Sequence, residues 1–194
     1  MMKLFIKIIL MEKKMRVISG LYKGRVIDGF DIEGTRPTQD RVKESIFSTI
    51  QNYIDESVTL DLFSGSGNLG IEALSNGSKE CYFVDNNKKA INVINNNIKK
   101  LDVKNAKVIN DDYKNALNYF KNNGKTFDLI FLDPPYKFEY IDEIIKFIID
   151  NNLINKNGLI ICEFEFDINK EYKELELYKE KKYGYKKVII FKKI

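Results

Sequence analysis

The sequence predicts an α/β fold, a mostly parallel sheet with helices on both faces and an antiparallel C-terminal edge. From residue 57 onward, apolar runs and helix-like segments alternate at the spacing expected of repeated βα units. A length of 194 residues suits one buried α/β domain with a small appendage. The apolar fraction of 44% supports a packed core.

The segment that precedes the repeated units is predicted to form a small N-terminal module, residues 15–56. Short β-like runs occupy 15–19 and 23–27, and an amphipathic helix is expected from about 39 to 53, with Thr38 as its N-cap. Residues 1–14 are interpreted as an extension, because Lys7 interrupts their apolar run and no signal-peptide cleavage site follows.

The predicted main domain, residues 57–194, contains five strands that alternate with four helices. The strands are expected at 58–63, 80–85, 106–110, 127–132 and 159–163, and the helices near 69–75, 88–100, 114–121 and 140–151. Two further strands, 172–182 and 185–191, are predicted to form a hairpin joined at Lys182-Tyr183-Gly184. This hairpin gives the sheet its antiparallel edge.

The composition excludes several classes of chemistry. The chain contains no histidine, which excludes Ser-His-Asp and Cys-His nucleophile systems and most zinc sites, so we expect no metal. Cys81 and Cys162 lie in predicted strands, where reduced buried thiols are the common case, and they favour the cytoplasm. No run of 18 apolar residues is present, so we expect no membrane association. We also expect the protein to be a monomer.

The arginines are unevenly distributed. All four, Arg16, Arg25, Arg36 and Arg41, precede residue 42, although the net charge of the whole chain is only +4. A guanidinium offers a planar fork of donors that suits phosphate groups, so this distribution predicts a surface that binds the phosphates of a nucleic acid. The alternative is an accident of a lysine-rich composition.

A glycine-rich turn follows the first strand of the predicted main domain. Its Gly65-x-Gly67-x-x-Gly70 spacing matches the dinucleotide-binding pattern, although a tight βα turn needs glycine even without a ligand. Asp85 ends the next strand, where a carboxylate can accept both hydroxyl protons of a ribose, and Asp112 follows the third strand. These features predict a nucleoside cofactor, and on this evidence alone NAD remains possible.

The tetrapeptide Asp133-Pro134-Pro135-Tyr136, which follows the fourth strand, is the most specific motif in the chain. Consecutive prolines fix φ and remove two backbone donors, so the segment can offer carbonyls to a ligand that donates hydrogen. An exocyclic amine becomes nucleophilic when its N–H bonds are held by acceptors, and the Asp133 carboxylate and Pro134 carbonyl can supply two. Tyr136 would stack on the flat substrate. The alternative is a structural turn, in which Asp133 caps and Tyr136 packs.

Several further motifs accompany this tetrapeptide. Together with Asp133-Pro134-Pro135-Tyr136 they are Arg16-Val17-Ile18-Ser19-Gly20, Lys23-Gly24-Arg25, Arg36-Pro37-Thr38, Asp40-Arg41-Val42-Lys43-Glu44 and Asp61-Leu62-Phe63-Ser64-Gly65-Ser66-Gly67. The most specific of them form one string, Arg-Pro-Thr-x-Asp-Arg-Val-x-Glu, at residues 36–44. With these motifs the chain resembles the bacterial small-subunit (16S) rRNA guanine-N2 methyltransferases of the RsmD type, over nearly all of its length from Met15.

The resemblance implies a class I methyltransferase fold, Rossmann-like, with seven strands in the order 3-2-1-4-5-7-6, and makes residues 57–194 the catalytic domain. It implies S-adenosylmethionine as cofactor and methylation of a guanine N2 in small-subunit rRNA. We expect this RNA to be bound within a small-subunit particle, and naked rRNA is the alternative. It also implies roles for individual residues. The residues that line the cofactor are Asp61, Phe63, Gly65, Gly67 and Asn86. Asp85 binds the ribose, and Asp112 lies near the adenine. The segment from Asp133 to Tyr136 holds the guanine, and the residues that face the RNA are Arg36, Thr38 and Arg41.

Other classes of protein remain as alternatives. The same acceptor chemistry serves adenine-N6 methyltransferases of DNA and glutamine-N5 methyltransferases of proteins, although the chain has no room for a DNA target-recognition domain. An NAD-dependent oxidoreductase would lack a substrate domain and a catalytic histidine. A non-catalytic RNA-binding protein could retain the fold.

Overall fold

The computed structural model describes residues 14–29, 40–135, 140–165, 168–169 and 171–194. Predictions for Arg36, Thr38 and Tyr136, and for the greater part of the N-terminal extension, fall outside these residues.

The described residues form nine strands and five α-helices, with a short 3-10 helix, Gln51–Tyr53, after the first α-helix. In chain order they are β1 (Lys14–Arg16), β2 (Val26–Asp28), α1 (Asp40–Ile50), β3 (Val58–Asp61), α2 (Asn68–Ser75), β4 (Glu80–Asp85), α3 (Lys88–Leu101), β5 (Ala106–Asn110), α4 (Tyr113–Asn122), β6 (Phe127–Leu132), α5 (Ile141–Asp150), β7 (Ile154–Phe164), β8 (Leu175–Tyr183) and β9 (Lys186–Lys193).

The main sheet has seven strands in the order β5-β4-β3-β6-β7-β9-β8. Strands β3 to β7 pair in parallel, whereas β9 is antiparallel to both β7 and β8. Counted from β3, this is the order 3-2-1-4-5-7-6 implied by the resemblance, and the antiparallel C-terminal edge is confirmed. The order reverses between β3 and β6, and ligands of open α/β sheets bind at such a switch point.

Helices cover both faces of this sheet, as predicted. On one face, α4 and α5 pack against strand residues such as Leu60, Ile130 and Ile160. On the other face, α1 packs against β6, β7 and β9, and the ring of Phe47 stacks on Phe131 with 5.7 Å between centroids. Both cysteines are free and buried, as expected. None of the helices in the described part of the chain has the length and apolar character of a membrane span.

The first two strands form a separate two-stranded sheet that docks on α2 and α3. Met15, Val17 and Ile27 are buried there, in one cluster with Ile71 and other residues of these helices. The loop after β1 crosses α2 at very short range: a Cβ on Gly20 would lie 1.8 Å from the carbonyl oxygen of Ser75, so only glycine fits. The division of the chain at residue 56 remains a prediction.

Candidate active site

The glycine turn begins where β3 ends and is tied to the neighbouring strand β4. Ser64 accepts a hydrogen bond from the Val84 N–H at its hydroxyl (2.9 Å) and donates its own N–H to the Val84 carbonyl (3.0 Å). Gly65 and Gly67 have φ of 53° and 79°, in the left-handed region that favours glycine. A Cβ on Gly65 would meet no atom within 4 Å, so the backbone there borders open space that a ligand can approach.

Gly70, the third glycine of the pattern, and Asp61 hold the start of α2 against the sheet. A Cβ on Gly70 would lie 2.3 Å from the ring of Phe83, so glycine lets α2 pack directly on β4. Asp61 is 2% exposed, and its Oδ2 accepts a hydrogen bond from the Gly70 N–H at 3.0 Å. Burial raises the pKa of Asp61 to about 7, and the Asp85 carboxylate adds to the rise, whereas the Gly70 N–H opposes it. Asp61 therefore contacts the backbone of the turn.

Asp85 bridges the glycine turn and the start of α3. Its Oδ2 accepts from the Gly65 N–H and its Oδ1 from the Asn87 N–H, both at 2.8 Å. Burial raises the pKa of Asp85, and these two N–H groups oppose the rise. A carboxylate has about four acceptor positions, so two remain for the hydroxyl groups of a sugar. Asn86, next in the chain, is exposed.

The end of β5 brings Asp112 and an aromatic ring to the same edge of the sheet. Asp112 is the N-cap of α4, where its Oδ1 accepts from the Lys114 N–H at 2.8 Å. The next residue, Tyr113, packs against Phe63 with 5.5 Å between ring centroids and a tilt of 44°. Phe63 is thus joined to an aromatic residue that our sequence analysis did not single out.

The Asp133-Pro134-Pro135 segment follows β6, beside the glycine turn. In the sheet, Asp61 pairs with Phe131, and the Leu62 N–H donates to the Phe131 carbonyl at 3.2 Å. Neighbouring strands lie about 4.8 Å apart, so the two segments leave the sheet side by side. Asp133 and Pro134 are half-buried and Pro135 is exposed. The arrangement places hydrogen-bond acceptors next to the turn that borders open space.

Of Arg36 and Arg41, which the resemblance implies face the RNA, the structure describes Arg41. It lies exposed in the first turn of α1. Arg25, which belongs to the same N-terminal group, donates from Nη2 to the Lys100 carbonyl at the end of α3 at 3.0 Å.

A buried ion pair that our sequence analysis missed joins the N-terminal segment to the glycine turn. The Lys43 Nζ lies 3.0 Å from the Glu72 Oε2, and both side chains are 0% exposed. The same ammonium donates to the Arg16 carbonyl and to the Asn68 Oδ1, both at 2.7 Å. Asn68 is the first residue of α2, directly after Gly67. This network therefore fixes the start of α2 against α1 and β1.

Glu72 completes the network by accepting hydrogen bonds from residues that follow β1. The N–H groups of Ile18 and Ser19 and the Ser19 hydroxyl all donate to its carboxylate, at 2.8–3.2 Å. A sequence pattern could have revealed Lys43. It shares a helical face with the buried apolar residues Ile46, Phe47 and Ile50, and a charge in such a stripe indicates a buried partner.

The chain has relatives among known proteins, both in sequence and in fold. The model of a family described as conserved hypothetical protein 95 matches residues 15–192. YlbH of Bacillus subtilis, provisionally named an rRNA methyltransferase, is 41% identical over 182 residues, which cover 92% of this chain and 99% of YlbH. The ribosomal RNA small subunit methyltransferase D of Haemophilus influenzae is 39% identical over 156 residues, 79% of this chain and 80% of that protein. The structure of yhhF from Escherichia coli, provisionally described as a methyltransferase, has a TM-score of 0.83 at 28% identity and covers 93% of this chain and 98% of its own.

Proposed function

The chain belongs to the conserved hypothetical protein 95 family, and from this premise we propose that it methylates ribosomal RNA of the small subunit. The donor is S-adenosylmethionine, and the acceptor is the exocyclic N2 of a guanine. One observation carries the proposal: the Asp133-Pro134-Pro135 acceptor segment leaves the sheet beside the glycine turn. The fold in which this occurs is similar to that of yhhF. The RsmD-type relatives support the choice of rRNA.

The residues at the switch point fit the cofactor. Open space at Gly65 lets a ligand approach the backbone, and the two unused acceptor positions of Asp85 suit a ribose diol. Phe63, which follows β3, and Tyr113, which follows β5, offer an aromatic surface where an adenine would lie. When bound, S-adenosylmethionine supplies a methyl group on a sulfonium centre, which is electrophilic without help from a metal.

The acceptor segment activates the target amine by position. The lone pair of a guanine N2 is delocalised into the ring, so the nitrogen is a poor nucleophile while it stays planar. The Asp133 carboxylate and the Pro134 carbonyl accept its two N–H groups and favour a pyramidal nitrogen. Because the two prolines fix φ and lack N–H groups, the segment holds this geometry without competing donors. Proximity and orientation then supply most of the acceleration.

The substrate side of the proposal extends beyond this segment. Tyr136 stacks on the extruded guanine, and its face offsets part of the cost of unstacking the base. Arg36, Thr38 and Arg41 contact the RNA from the N-terminal segment. The substrate is rRNA within a small-subunit particle, and the enzyme acts as a monomer.

The test is transfer of labelled methyl to small ribosomal subunits that lack the modification, followed by mass spectrometry of the rRNA nucleosides. We expect N2-methylguanosine from the wild type. Asp133→Ala should abolish transfer and leave the affinity for S-adenosylmethionine within about twofold, because the side chain holds the acceptor. The matched control is Asp150→Ala. Asp150 is the exposed last residue of α5, and this variant should transfer methyl at the wild-type rate.

The products also decide between the alternatives. Detection of methylated adenine, or of methylated glutamine in a ribosomal protein, would show that this group is the acceptor and that guanine N2 is not. Full activity of Asp133→Ala would remove the acceptor role from this segment, whatever the product.

A further inference from the structure

The turn between β8 and β9 lies at the same end of the strands as the candidate active site, where the parallel strands have their carboxyl ends. Both β7 and β8 run antiparallel to β9, so β8 runs parallel to β7 and its carboxyl end points the same way. The register aligns Glu163 of β7 with Val188 of β9 and Lys181 of β8. Asp133 leaves β6 at this level, because Leu132 pairs with Cys162.

The composition of this turn is unusual. Residues 181–187, called here the hairpin tip, have the sequence Lys-Lys-Tyr-Gly-Tyr-Lys-Lys, with four lysines, two tyrosines and no acid. Lys182 is exposed, and 48% of the surface of Tyr185 is exposed. Cations beside aromatic rings are the combination with which proteins bind single-stranded nucleic acid, through phosphate contacts and base stacking.

Two other lysines of the hairpin tip fix it to the rest of the fold. Lys186 forms a buried ion pair with Glu163 of β7. The Lys181 Nζ donates to the Ser45 hydroxyl of α1 at 2.7 Å. The tip is therefore a preorganised surface, which reduces the entropy lost when a partner binds.

The position of the hairpin tip suits a partner that also occupies the active site. Three strand spacings of about 4.8 Å separate β6 from β8, a span of about 14 Å. At an axial rise of roughly 3.4 Å per nucleotide, this span corresponds to about four stacked nucleotides. We propose that the hairpin tip binds the RNA strand that flanks the target guanine, with Lys182 on a phosphate and Tyr185 stacked on a base. This inference rests on the proposed function.

Two substitutions and a matched control test it. Lys182→Glu removes the phosphate contact, and Tyr185→Ala removes the stacking face, whereas Tyr185→Phe retains it. The control is Lys156→Glu, which makes the same change in charge at an exposed position near the start of β7, at the opposite edge of the sheet. Methyl transfer is measured on assembled subunits and on a naked fragment of the rRNA, together with the affinity for S-adenosylmethionine.

We expect Lys182→Glu and Tyr185→Ala each to raise the KM for both RNA substrates about tenfold. The kcat and the affinity for S-adenosylmethionine should stay within about twofold of wild type, a split that mere unfolding would not produce. Lys182→Glu should also reduce the salt slope of RNA binding by about one, and Tyr185→Ala should leave that slope unchanged. Tyr185→Phe and Lys156→Glu should behave as wild type.

An equal rise in KM for Lys182→Glu and Lys156→Glu would overturn the inference. So would a rise seen only with assembled subunits, since that would assign the surface to a ribosomal protein. If the wild type transfers no methyl to RNA, the proposed function fails, and fluorescence anisotropy with the labelled fragment still compares the two lysine variants directly.

Discussion

Replacing Lys43 with methionine should lower the free energy of unfolding by about 3–5 kcal/mol, the usual cost of removing one partner of a buried ion pair. Methionine keeps the unbranched shape of the side chain and removes its charge. In the wild type, the ammonium contacts the Glu72 carboxylate, the Asn68 amide oxygen and the Arg16 carbonyl, and neither charged side chain is exposed to solvent.

The magnitude follows from what the substitution leaves behind. The Glu72 carboxylate remains buried without its counter-charge, and two neutral acceptors lose a donor, each at a cost of about 1–3 kcal/mol when no water replaces it. The N–H groups of Ile18 and Ser19 still donate to the carboxylate, which limits the loss. For a chain of this size, the melting temperature should fall by roughly 6–20 °C.

Urea unfolding followed by circular dichroism measures the change, with the m-value as a check on two-state behaviour. Lys104→Met is the matched control, because the ion pair of Lys104 with Asp102 has both side chains 80% exposed. Exposed pairs contribute about 0–1 kcal/mol, so the control should unfold almost as the wild type does. Equal losses in the two variants would refute the reasoning that burial makes the Lys43 pair costly to break.

Two further predictions concern the residues beneath the glycine turn. The pKa of Asp61 is raised from 3.8 to about 7, so the folded state holds a proton that the unfolded chain releases, and stability should fall as pH rises from about 4 to 7. Between pH 5 and pH 8 the wild type should lose about 3 kcal/mol relative to Asp61→Asn in urea unfolding, and parallel profiles would contradict this. Gly70→Ala should destabilise the fold by about 1–3 kcal/mol, because the new methyl group would lie 2.3 Å from the ring of Phe83. A melting temperature equal to that of wild type would show that α2 can shift without cost.

The sequence located the ends of β4, β5 and β6 better than those of β3 and β7. The predicted bounds of β4, β5 and β6 agree with the structure, because turn residues such as Gly, Asn, Asp or Pro enclose each of these strands. β3 was predicted to reach Phe63 but ends at Asp61, where the chain leaves the ladder for the glycine turn. β7 begins at Ile154, earlier than expected, since Ile154 pairs with Phe127 before a register shift. Such a shift leaves no trace in the alternation of residue types.

The site could be predicted in outline because topology constrains strand ends. Gly65, Asp85 and Asp133 are far apart in the sequence, yet the strand order alone brings their segments to adjacent ends of β3, β4 and β6. The role of each acid is harder to infer. Asp112 caps a helix and Asp61 binds a backbone N–H, and the residue type that performs these tasks is the same one that binds a ribose.

The segment with the Arg-Pro-Thr-x-Asp-Arg-Val-x-Glu string continues into α1, whose two faces have different surroundings. The second unspecified position is Lys43, which is fully buried and ion-paired, whereas the glutamate that the string specifies, Glu44, is exposed. Side chains of a helix divide by face, so neighbours in the sequence can serve opposite purposes. Arg41 lies on the exposed side and can contact RNA, while Lys43 joins α1 to α2. The helix that carries the motif therefore packs against the start of α2 on its buried face, and its exposed face leaves Arg41 available for the RNA contact proposed above.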